Sequence, residues 1–312
     1  NTPTKNISQG FLSAFAGLTS ISNINHHQHI GNYLPFYICF LSNIMDLFSK
    51  ICKNIKSVKI QGATNVAKSA IKAYILKPTK KSKKTLIRLR PTEPMLKNAL
   101  NILEKSSYES VLNHFDNAQE FINHYVQKLV SQNKIIFTHC HSNTLAQALI
   151  SAHKSGIKFS VINTETRPLY QGHITAKQLS RAGINVTMSI DSAILEDIKK
   201  SDIIFLGADA ITRKGVLNKI GSATISRISK DYKKPLYIVT DSWKFSQHKI
   251  QIEKRSVKEI WSRAPKNVKI ENFSFELIPP KQITGIVSEF GTLTYKQFIK
   301  ESKKNLKSYG II

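Results

Sequence analysis

The second half of the chain contains five short apolar runs rich in β-branched residues, and this pattern constrains the fold most. Runs of this kind are typical of strands buried on both faces of a parallel sheet. They lie at 134–138 (KIIFT), 159–163 (FSVIN), 185–190 (NVTMSI), 202–207 (DIIFLG) and 235–240 (PLYIVT). Stretches with helical spacing separate them, at 144–154, 176–181, 193–198 and 220–229. The alternation predicts an α/β fold with a Rossmann-like, doubly wound parallel sheet.

A polar segment follows each predicted strand. The carboxyl ends of parallel strands emerge on one edge of the sheet, and open α/β sheets bind ligands at that edge. The segments are His139-Cys140-His141-Ser142, Thr164 to Pro168, Asp191-Ser192, Ala208-Asp209 and Asp241 to Lys244. Five polar loops on one edge predict an enzyme active site.

Before residue 130 the spacing of apolar residues is helical. It predicts helices at 41–55, 67–76, 95–104 and 108–130, a short strand at 58–60 and a basic turn around Pro78. We therefore predict three parts: a helical N-terminal segment (1–56), a helical domain that contributes phosphate-binding loops (57–130), and a Rossmann-like catalytic domain (131–312).

The longest apolar stretch runs from Tyr33 to Phe48. It is shorter than the roughly 20 residues that span a bilayer, and it contains Pro35 and Asp46, so it predicts a buried helix rather than a membrane element. The first residues lack the pattern of a secretory signal, which favours the cytoplasm. We expect no membrane partner.

The formal net charge of +26 indicates an anionic partner. The lysines are spread along the chain, with one tight run from Lys77 to Lys84, and no aromatic RNA-binding motif or zinc-finger spacing is present. An acidic small substrate is therefore favoured over nucleic acid, which we do not expect to bind.

Cysteine and histidine spacing suggests neither a disulfide framework nor a metal site. Cys39, Cys52 and Cys140 are few and scattered, and no C-x-x-C pattern occurs. The histidines on helical stretches are expected to be surface or core residues rather than ligands: His114, His124 and His153.

Cys140 lies between a predicted strand that ends at Thr138 and a helix that begins near Ser142 or Thr144. The positive end of a helix dipole favours the thiolate, and His139 and His141 could add donors or positive charge. This placement predicts a reactive cysteine. The alternative is a small buried apolar residue, which is common for a free cysteine.

Asp209 follows the apolar sequence Ile-Ile-Phe-Leu-Gly-Ala. A carboxylate directly after a buried strand is expected to be partly desolvated, which raises its pKa toward general acid work. The alternative is a helix-capping or turn aspartate.

Several groups could hold anionic oxygens. Arg90, Arg167 and Lys244 are candidates, the arginines through their two-pronged fork. The N–H groups of Gly62-Ala63-Thr64, just before a helix, could receive a phosphate, although a plain turn is equally consistent. Asn218-Lys219 is a second polar pair just before a helix.

Several motifs in a fixed order resemble the superfamily of archaeal ribose-1,5-bisphosphate isomerase, methylthioribose-1-phosphate isomerase and the α, β and δ subunits of translation initiation factor 2B. The resemblance runs from about residue 57 to 290. It rests on GA (62–63), RPT (90–92), THCHS (138–142), TETRPLYQG (164–172), GADAIT (207–212), NKIG (218–221), WKF (243–245) and SEFG (288–291).

Two residues favour one branch of this superfamily. The regulatory subunits typically lack the cysteine and the GAD aspartate, whereas here both are present as Cys140 and Asp209. The wording HCHS and TETRP is similar to the ribose-1,5-bisphosphate isomerases. The resemblance implies isomerisation of ribose 1,5-bisphosphate to ribulose 1,5-bisphosphate in AMP salvage, with Cys140 as base and Asp209 as acid.

The resemblance further implies a bisphosphorylated sugar as partner, no metal and no cofactor. It implies dimers that assemble to hexamers, and AMP as a candidate activator. The implied substrate-binding residues are Gln61, Gly62, Ala63, Thr64, Arg90, His141, Ser142, Arg167, Asn218, Lys219 and Lys244.

One position departs from the family pattern. The glycine–alanine loop usually begins with an arginine, and here Gln61 stands there, which removes a charged contact worth about 1.5–3 kcal/mol. Lys68 or a lysine of the 80–84 run could compensate, or the phosphate site is altered. A regulatory subunit of the initiation-factor type and a methylthioribose-type isomerase stay as alternatives.

Overall fold

The computed structural model describes the backbone of residues 30–253 and 255–312, and within those ranges the side chains from residue 43 onward. The chain divides into two compact units, residues 1–47 and 48–312. Most of the first unit, including much of the predicted N-terminal segment, lies outside the described residues. The predicted domain boundaries near residues 56 and 130 stay a prediction.

The helices that precede the sheet begin at recognisable caps. The Thr79 and Ser107 hydroxyls accept hydrogen bonds from Ser82 N and Ser110 N, and Pro94 fits a first turn because that position needs no N–H donor. The helices are α1 (Ile30–Lys56), α2 (Ala63–Leu76), α3 (Lys80–Leu89), α4 (Pro94–Leu103) and α5 (Tyr108–Leu129). The predicted basic turn is thus confined to 77–79, since the lysines from Lys80 onward are helical.

The remaining described chain alternates strands and helices. The strands are β1 (Lys134–Thr138), β2 (Phe159–Thr164), β3 (Asn185–Ser189), β4 (Ile203–Leu206), β5 (Ala210–Thr212), β6 (Gly215–Lys219), β7 (Leu236–Val239), β8 (Phe275–Ile278), β9 (Gly285–Ser288) and β10 (Gly291–Leu293). The helices are α6 (Asn143–Lys154), α7 (Gly172–Arg181), α8 (Ile194–Lys200), α9 (Ser222–Asp231) and α10 (Tyr295–Ser308).

The central sheet has the strand order β10-β9-β7-β4-β1-β2-β3. Every neighbouring pair is parallel except β9 with β10. Strands β1, β2 and β3 follow one another outward, and the chain then returns to place β4 on the other side of β1. The strand order therefore reverses between β1 and β4, where open α/β sheets leave a crevice for a ligand.

Helices cover both faces of this sheet, because successive strand residues point to opposite sides. In β1, Ile136 packs with Val126 of α5 and Leu149 of α6 on one face. Phe137 packs on the other face with apolar residues of α8, α9 and α10, such as Ile225. The predicted doubly wound α/β fold, preceded by helices, is confirmed.

A third apolar cluster joins the first helices to the turn after β7. Trp243 and Phe245 of that turn are fully buried among residues of α2, α4 and α5. The Asn98 side chain donates hydrogen bonds to the carbonyl oxygens of both, at 2.7 and 3.0 Å. This anchoring fixes Lys244, which lies between them.

Two local predictions are wrong, and one sheet was not predicted. Residues 58–60 form a turn rather than a strand, because the N–H groups of Lys59 and Ile60 donate to Asn54 O at the end of α1. Strand β3 is not buried on both faces, since it is the last strand of the sheet and exposes Met188. The antiparallel sheet β5-β6-β8 was not foreseen.

The apolar stretch at 33–48 lies within α1, so its helical prediction is confirmed. Its predicted burial is wrong for Met45 and Leu47, which are 42% and 46% exposed, whereas Phe48 packs against the third apolar cluster. None of the helices in the described ranges is long and apolar enough to cross a membrane.

Candidate active site

A cavity of about 870 Å³, including its open mouth, lies where β1 and β4 end. This volume is typical of small-molecule sites. All but one of the sequence-predicted site residues line it: Gln61, Gly62, Ala63, Thr64, Arg90, Cys140, His141, Ser142, Asp209, Asn218, Lys219 and Lys244. Cys140 follows β1 and Asp209 follows β4, so the pair lies at the point where the strand order reverses.

Backbone hydrogen bonds fix Cys140 in the turn between β1 and α6. Its φ of +67° lies in the left-handed region, which is uncommon for a residue with a side chain. The Cys140 N–H donates to Thr166 Oγ1 at 2.9 Å, and the Thr175 hydroxyl donates to Cys140 O at 2.9 Å. Loops after β2 and helix α7 thus hold the thiol-bearing turn.

Burial raises the pKa of the Cys140 thiol to about 12, and the charges of Asp209 and Asp191 act in the same direction. The charge of Lys219 and the His141 backbone N–H favour the thiolate but do not outweigh burial. The predicted lowering of this pKa by the helix dipole is therefore wrong. The free energy that desolvation of the thiolate costs is larger than the stabilisation that the nearby positive groups provide.

Asp209 connects β4 to β5, and its N–H donates to Leu217 O at 2.9 Å. Burial raises the pKa of its carboxyl group, and the charges of Lys244, Arg90 and Lys219 oppose this only in part. The predicted desolvation of Asp209 is confirmed, and the direction of the shift suits a proton donor.

Both histidines beside Cys140 have pKa values lowered chiefly by burial, so they do not supply the positive charge that we expected. His139 is hydrogen-bonded to Thr164 Oγ1 and to Ile220 O, at 2.5 and 2.8 Å. His141 Nδ1 lies 3.0 Å from Thr175 Oγ1. Because the single Thr175 hydroxyl proton goes to Cys140 O, His141 Nδ1 carries the proton in that pair.

Gly207 lets the loop after β4 approach the loop after β1. A Cβ atom at this position would lie 2.8 Å from Ser142 Cβ and 3.0 Å from Ser142 Oγ, distances that folded chains do not tolerate. The turns that carry Cys140 and Asp209 are therefore in direct contact.

The glycine–alanine loop lies at the start of α2 as predicted. Gly62 has a φ of +83°, and α2 begins at Ala63, so the free N–H groups of the first helical turn belong to this loop. Gln61 Oε1 accepts a hydrogen bond from Gln171 Nε2 at 3.3 Å. Gln171 also lines the cavity and was not foreseen.

Lysines and an amide line the opposite wall. Lys244 is buried, its Nζ donates to Ala208 O at 2.8 Å, and burial lowers its pKa although Asp209 opposes this. Lys219 is 6% exposed, and Asn218 Nδ2 donates to Ser222 Oγ at 2.9 Å. These groups make the wall cationic and suit it to an anionic ligand.

Arg90 forms ion pairs with two glutamates, which we name the Arg90 cluster (Arg90, Glu93 and Glu253). Its guanidinium contacts Glu93 Oε1, and its Nε lies 3.1 Å from Glu253 Oε2. Burial raises the pKa of Glu93 to about 7 against the opposing charge of Arg90. Sequence reasoning missed both glutamates and Arg255, which also lines the cavity.

Arg167 does not line the cavity. It is exposed, its side chain contacts the Tyr170 hydroxyl, and its backbone N–H donates to Asp191 Oδ2 at 2.7 Å. The loop therefore uses the backbone of Arg167 to position its turn, while the guanidinium lies elsewhere.

The lysines proposed to replace the family arginine at position 61, Lys68 and those of the 80–84 run, do not line the cavity. Lys68 is paired with Asp116 at 2.9 Å, and Lys83 is paired with Glu104 at 2.6 Å. Arg255 is the cation in the cavity that we did not predict. It lies 2.6 Å from Glu259.

Among the described residues, one group has the composition of a metal site, namely His114, Asp241 and Glu289, whose ligand atoms lie within 4.8 Å of one another. We name it the His114 cluster. His114 Nε2 lies 3.0 Å from Asp241 Oδ2, and the ring stacks on Trp243 at 3.6 Å. Asp241 Oδ1 accepts from Trp243 N, and both Glu289 oxygens accept from Ser242 N. Hydrogen bonds within the protein thus satisfy the carboxylates.

Comparison with known proteins assigns this chain to a family. The sequence profile described as "Initiation factor 2 subunit family" matches residues 42–295. The chain belongs to this family. Members with curated names include the ribose 1,5-bisphosphate isomerase of Methanocaldococcus jannaschii, 32% identical over 81% of this chain and 94% of that protein. The Archaeoglobus fulgidus protein of the same name is 31% identical over 80% of this chain and 90% of its own length.

A solved structure with the same architecture confirms the fold. The translation initiation factor eIF-2B of Pyrococcus horikoshii superposes with a TM-score of 0.74 over 81% of this chain and 98% of that chain. Its sequence is 23% identical, so this likeness concerns the architecture alone.

Proposed function

We propose that the protein is a sugar-phosphate isomerase that converts ribose 1,5-bisphosphate to ribulose 1,5-bisphosphate. The observation that carries this proposal is the convergence of Cys140 and Asp209 in one cation-lined cavity at the reversal of the strand order. The curated relatives named ribose 1,5-bisphosphate isomerase, which match 80% and 81% of this chain, support the same reaction.

The reaction needs an acid and a base because the C1 phosphate locks the sugar ring. Asp209 in its acid form protonates the ring oxygen as the bond from that oxygen to C1 breaks, while the Cys140 thiolate removes the proton from C2. The product of this step is an enol phosphate. The Asp209 carboxylate then accepts the proton of the C2 hydroxyl, and the Cys140 thiol returns its proton to C1. Both residues end in their starting states.

The raised pKa values are compatible with these roles. Burial raises the pKa of both groups and the charge of Asp209 raises that of Cys140 further, so the pair favours a single negative charge. A thiolate beside a protonated Asp209 has the same total charge as a thiol beside a carboxylate. The reactive form therefore requires a proton to move within the pair, rather than the loss of a proton to solvent at high pH.

The cationic wall suits the two phosphates. Lys219, Lys244 and Arg90 face the cavity from separate loops, and the N-terminal turn of α2 adds N–H donors. We extend the proposal to a role in AMP-derived ribose salvage, activation by AMP, assembly of dimers into hexamers and a cytoplasmic location.

Turnover of ribose 1,5-bisphosphate by the purified chain, with and without AMP, tests the proposal. Cys140→Ser and Asp209→Asn should each lower the rate by about 10²–10⁴-fold or more while the fold is kept. Cys52→Ser and Asp231→Asn are matched controls outside the cavity and should retain activity. Absence of ribulose 1,5-bisphosphate under both conditions contradicts the proposal.

The description of the matching family, "Initiation factor 2 subunit family", favours a regulatory protein as the second candidate. Specific retention of translation initiation factor 2 by the immobilised protein, together with no turnover, would favour it. Preference for methylthioribose 1-phosphate over the bisphosphate in the same assay would instead identify the third candidate, an isomerase of that type.

A further inference from the structure

The Arg90 side of the cavity contains buried polar atoms that lack hydrogen-bond partners. Arg90 is 6% exposed, and its Nη1 has no partner among the described residues. The same is true of Glu93 Oε2 and Glu253 Oε1. Buried polar groups are nearly always paired in folded proteins, so within the described part of the chain this cluster leaves positions that a ligand could fill. The unpaired guanidinium nitrogen lies in the cavity wall, where an oxyanion would satisfy it.

Glu253 reaches this position because the backbone around it is fastened to the Arg90 loop. The Glu253 N–H donates to Thr92 Oγ1 at 2.9 Å, and the Thr92 hydroxyl donates to Gln251 O at 3.2 Å. Thr92 is fully buried, two residues after Arg90. The segment 251–253 therefore delivers a carboxylate to an arginine far away in sequence.

The Glu253 carboxylate lies between two guanidinium groups. One oxygen is 3.1 Å from Arg90 Nε, and the other is 3.7 Å from Arg255 Nη1. The contact with Arg90 is a hydrogen bond, whereas the contact with Arg255 is longer than one. A small rotation of the Glu253 side chain would exchange the first partner for the second without leaving the carboxylate unpaired.

We propose that Glu253 is an internal competitor for the phosphate ligand. In the free protein its carboxylate occupies Arg90 Nε, and a phosphate that binds at the free Nη1 also takes that place while Glu253 transfers to Arg255. Simultaneous binding of a carboxylate and a phosphate to the Arg90 guanidinium is unfavourable, because like charges a few ångströms apart repel strongly in a desolvated site. The competition lowers affinity and so regulates occupancy of the site. This inference rests on the proposed function in one respect only, namely that the ligand carries a phosphate group.

An opposite role for Glu253 makes opposite predictions. If the carboxylate served only to orient the Arg90 fork toward the ligand, its removal would weaken binding, because the guanidinium would lose its fixed position. If it competes, its removal strengthens binding, because the fork is then free and one negative charge has left the cavity.

The test is calorimetric titration of the whole chain with inorganic phosphate. We expect Glu253→Gln to bind phosphate about tenfold more tightly than the wild type, the change expected from one charge-assisted contact. Glu253→Asp keeps the charge but withdraws it from Arg90 by one methylene, and it should also bind more tightly. Glu196→Gln removes the same charge from an exposed site paired with Lys199 and should bind as the wild type does.

Equal or weaker binding by Glu253→Gln and Glu253→Asp, with melting temperatures close to the wild type, would overturn the inference. If Glu253→Gln does not fold, the result with Glu253→Asp decides. Phosphate binding requires no turnover, so the outcome is separate from the fate of the proposed function. If the Glu253 variants bind phosphate more tightly but the wild type has no isomerase activity, only the proposed function is contradicted. If the wild type is active but the variants do not bind phosphate more tightly, only the competitor role is contradicted.

Discussion

The Arg90 cluster and the His114 cluster contain the same kinds of groups in different states of completion. Each pairs a basic side chain with two carboxylates, and each holds a glutamate, Glu93 or Glu289, whose pKa burial raises to about 7. In the His114 cluster every carboxylate oxygen accepts a hydrogen bond from the protein. In the Arg90 cluster two carboxylate oxygens and one guanidinium nitrogen have no partner among the described residues.

This difference indicates that the His114 cluster supports the structure, whereas the Arg90 cluster is available to bind a ligand. The His114 cluster fixes the turn that carries Lys244. Asp241 accepts a hydrogen bond from the Trp243 N–H, and Glu289 accepts one from the Ser242 N–H. A satisfied buried network of this kind rigidifies the structure. The Arg90 cluster opens on the cavity and leaves donors and acceptors available, which is the expected state of a site that has a ligand to bind.

Removal of Arg90 should have the largest effect on stability. Arg90→Met leaves Glu93 buried without its ion-pair partner and leaves Glu253 with only the longer contact to Arg255, and breaking such a buried pair costs about 3–5 kcal/mol. Urea unfolding at pH 8 measures the loss. Arg227→Met breaks an exposed pair with Asp231 and should cost less than about 1 kcal/mol. Similar losses in the two variants would contradict the burial of the Arg90 cluster.

Glu93→Gln should change the pH dependence of stability. The pKa of Glu93 is about 7 in the folded protein, above the ordinary value of 4.5, so the folded chain keeps a proton that the unfolded chain releases. The free energy of unfolding of the wild type should therefore fall as the pH rises from about 4.5 to about 7. By pH 8 it should lose about 2–3 kcal/mol relative to the variant.

Urea unfolding at several pH values measures this slope. Glu289→Gln should remove a similar slope, since its pKa is also about 7. Phosphate should alter the slope of the wild type and of Glu289→Gln but leave that of Glu93→Gln nearly unchanged, because Glu93 belongs to the cavity. Identical phosphate effects in both variants would show that the two clusters do not differ as proposed.

His114→Gln should have the smallest effect. Burial acts to lower the pKa of His114, but the charge and hydrogen bond of Asp241 and the charge of Glu289 outweigh it, so the pKa is raised. The stabilisation is present below the unfolded pKa and disappears as the pH rises through the folded pKa. The variant should lose about 1–2 kcal/mol at pH 6 and less at pH 9, by urea unfolding. Phosphate affinity should be unchanged, and a large loss of it would make the His114 cluster part of the binding site.

The sequence predicts the Cys140 side of the cavity well and the Arg90 cluster poorly. Strand ends on one parallel sheet must meet, so the runs before Cys140 and Asp209 were sufficient to bring these residues together. Glu253 approaches Arg90 through a segment without regular structure, and no periodicity specifies such a contact. The direction of the Cys140 pKa also could not be predicted, because it depends on how completely neighbouring loops exclude water from the thiol.

The contact at Gly207 has a consequence for how such a protein can change over evolutionary time. With no room for even a methyl group against Ser142, the spacing between the turns that carry Cys140 and Asp209 is fixed by the chain itself. Descendants that acquire a different ligand are therefore free to vary the far wall, around Arg90 and Glu253, while the chemistry at the sheet edge stays the same. One family can in this way keep the same residues at the sheet edge while its members bind different ligands.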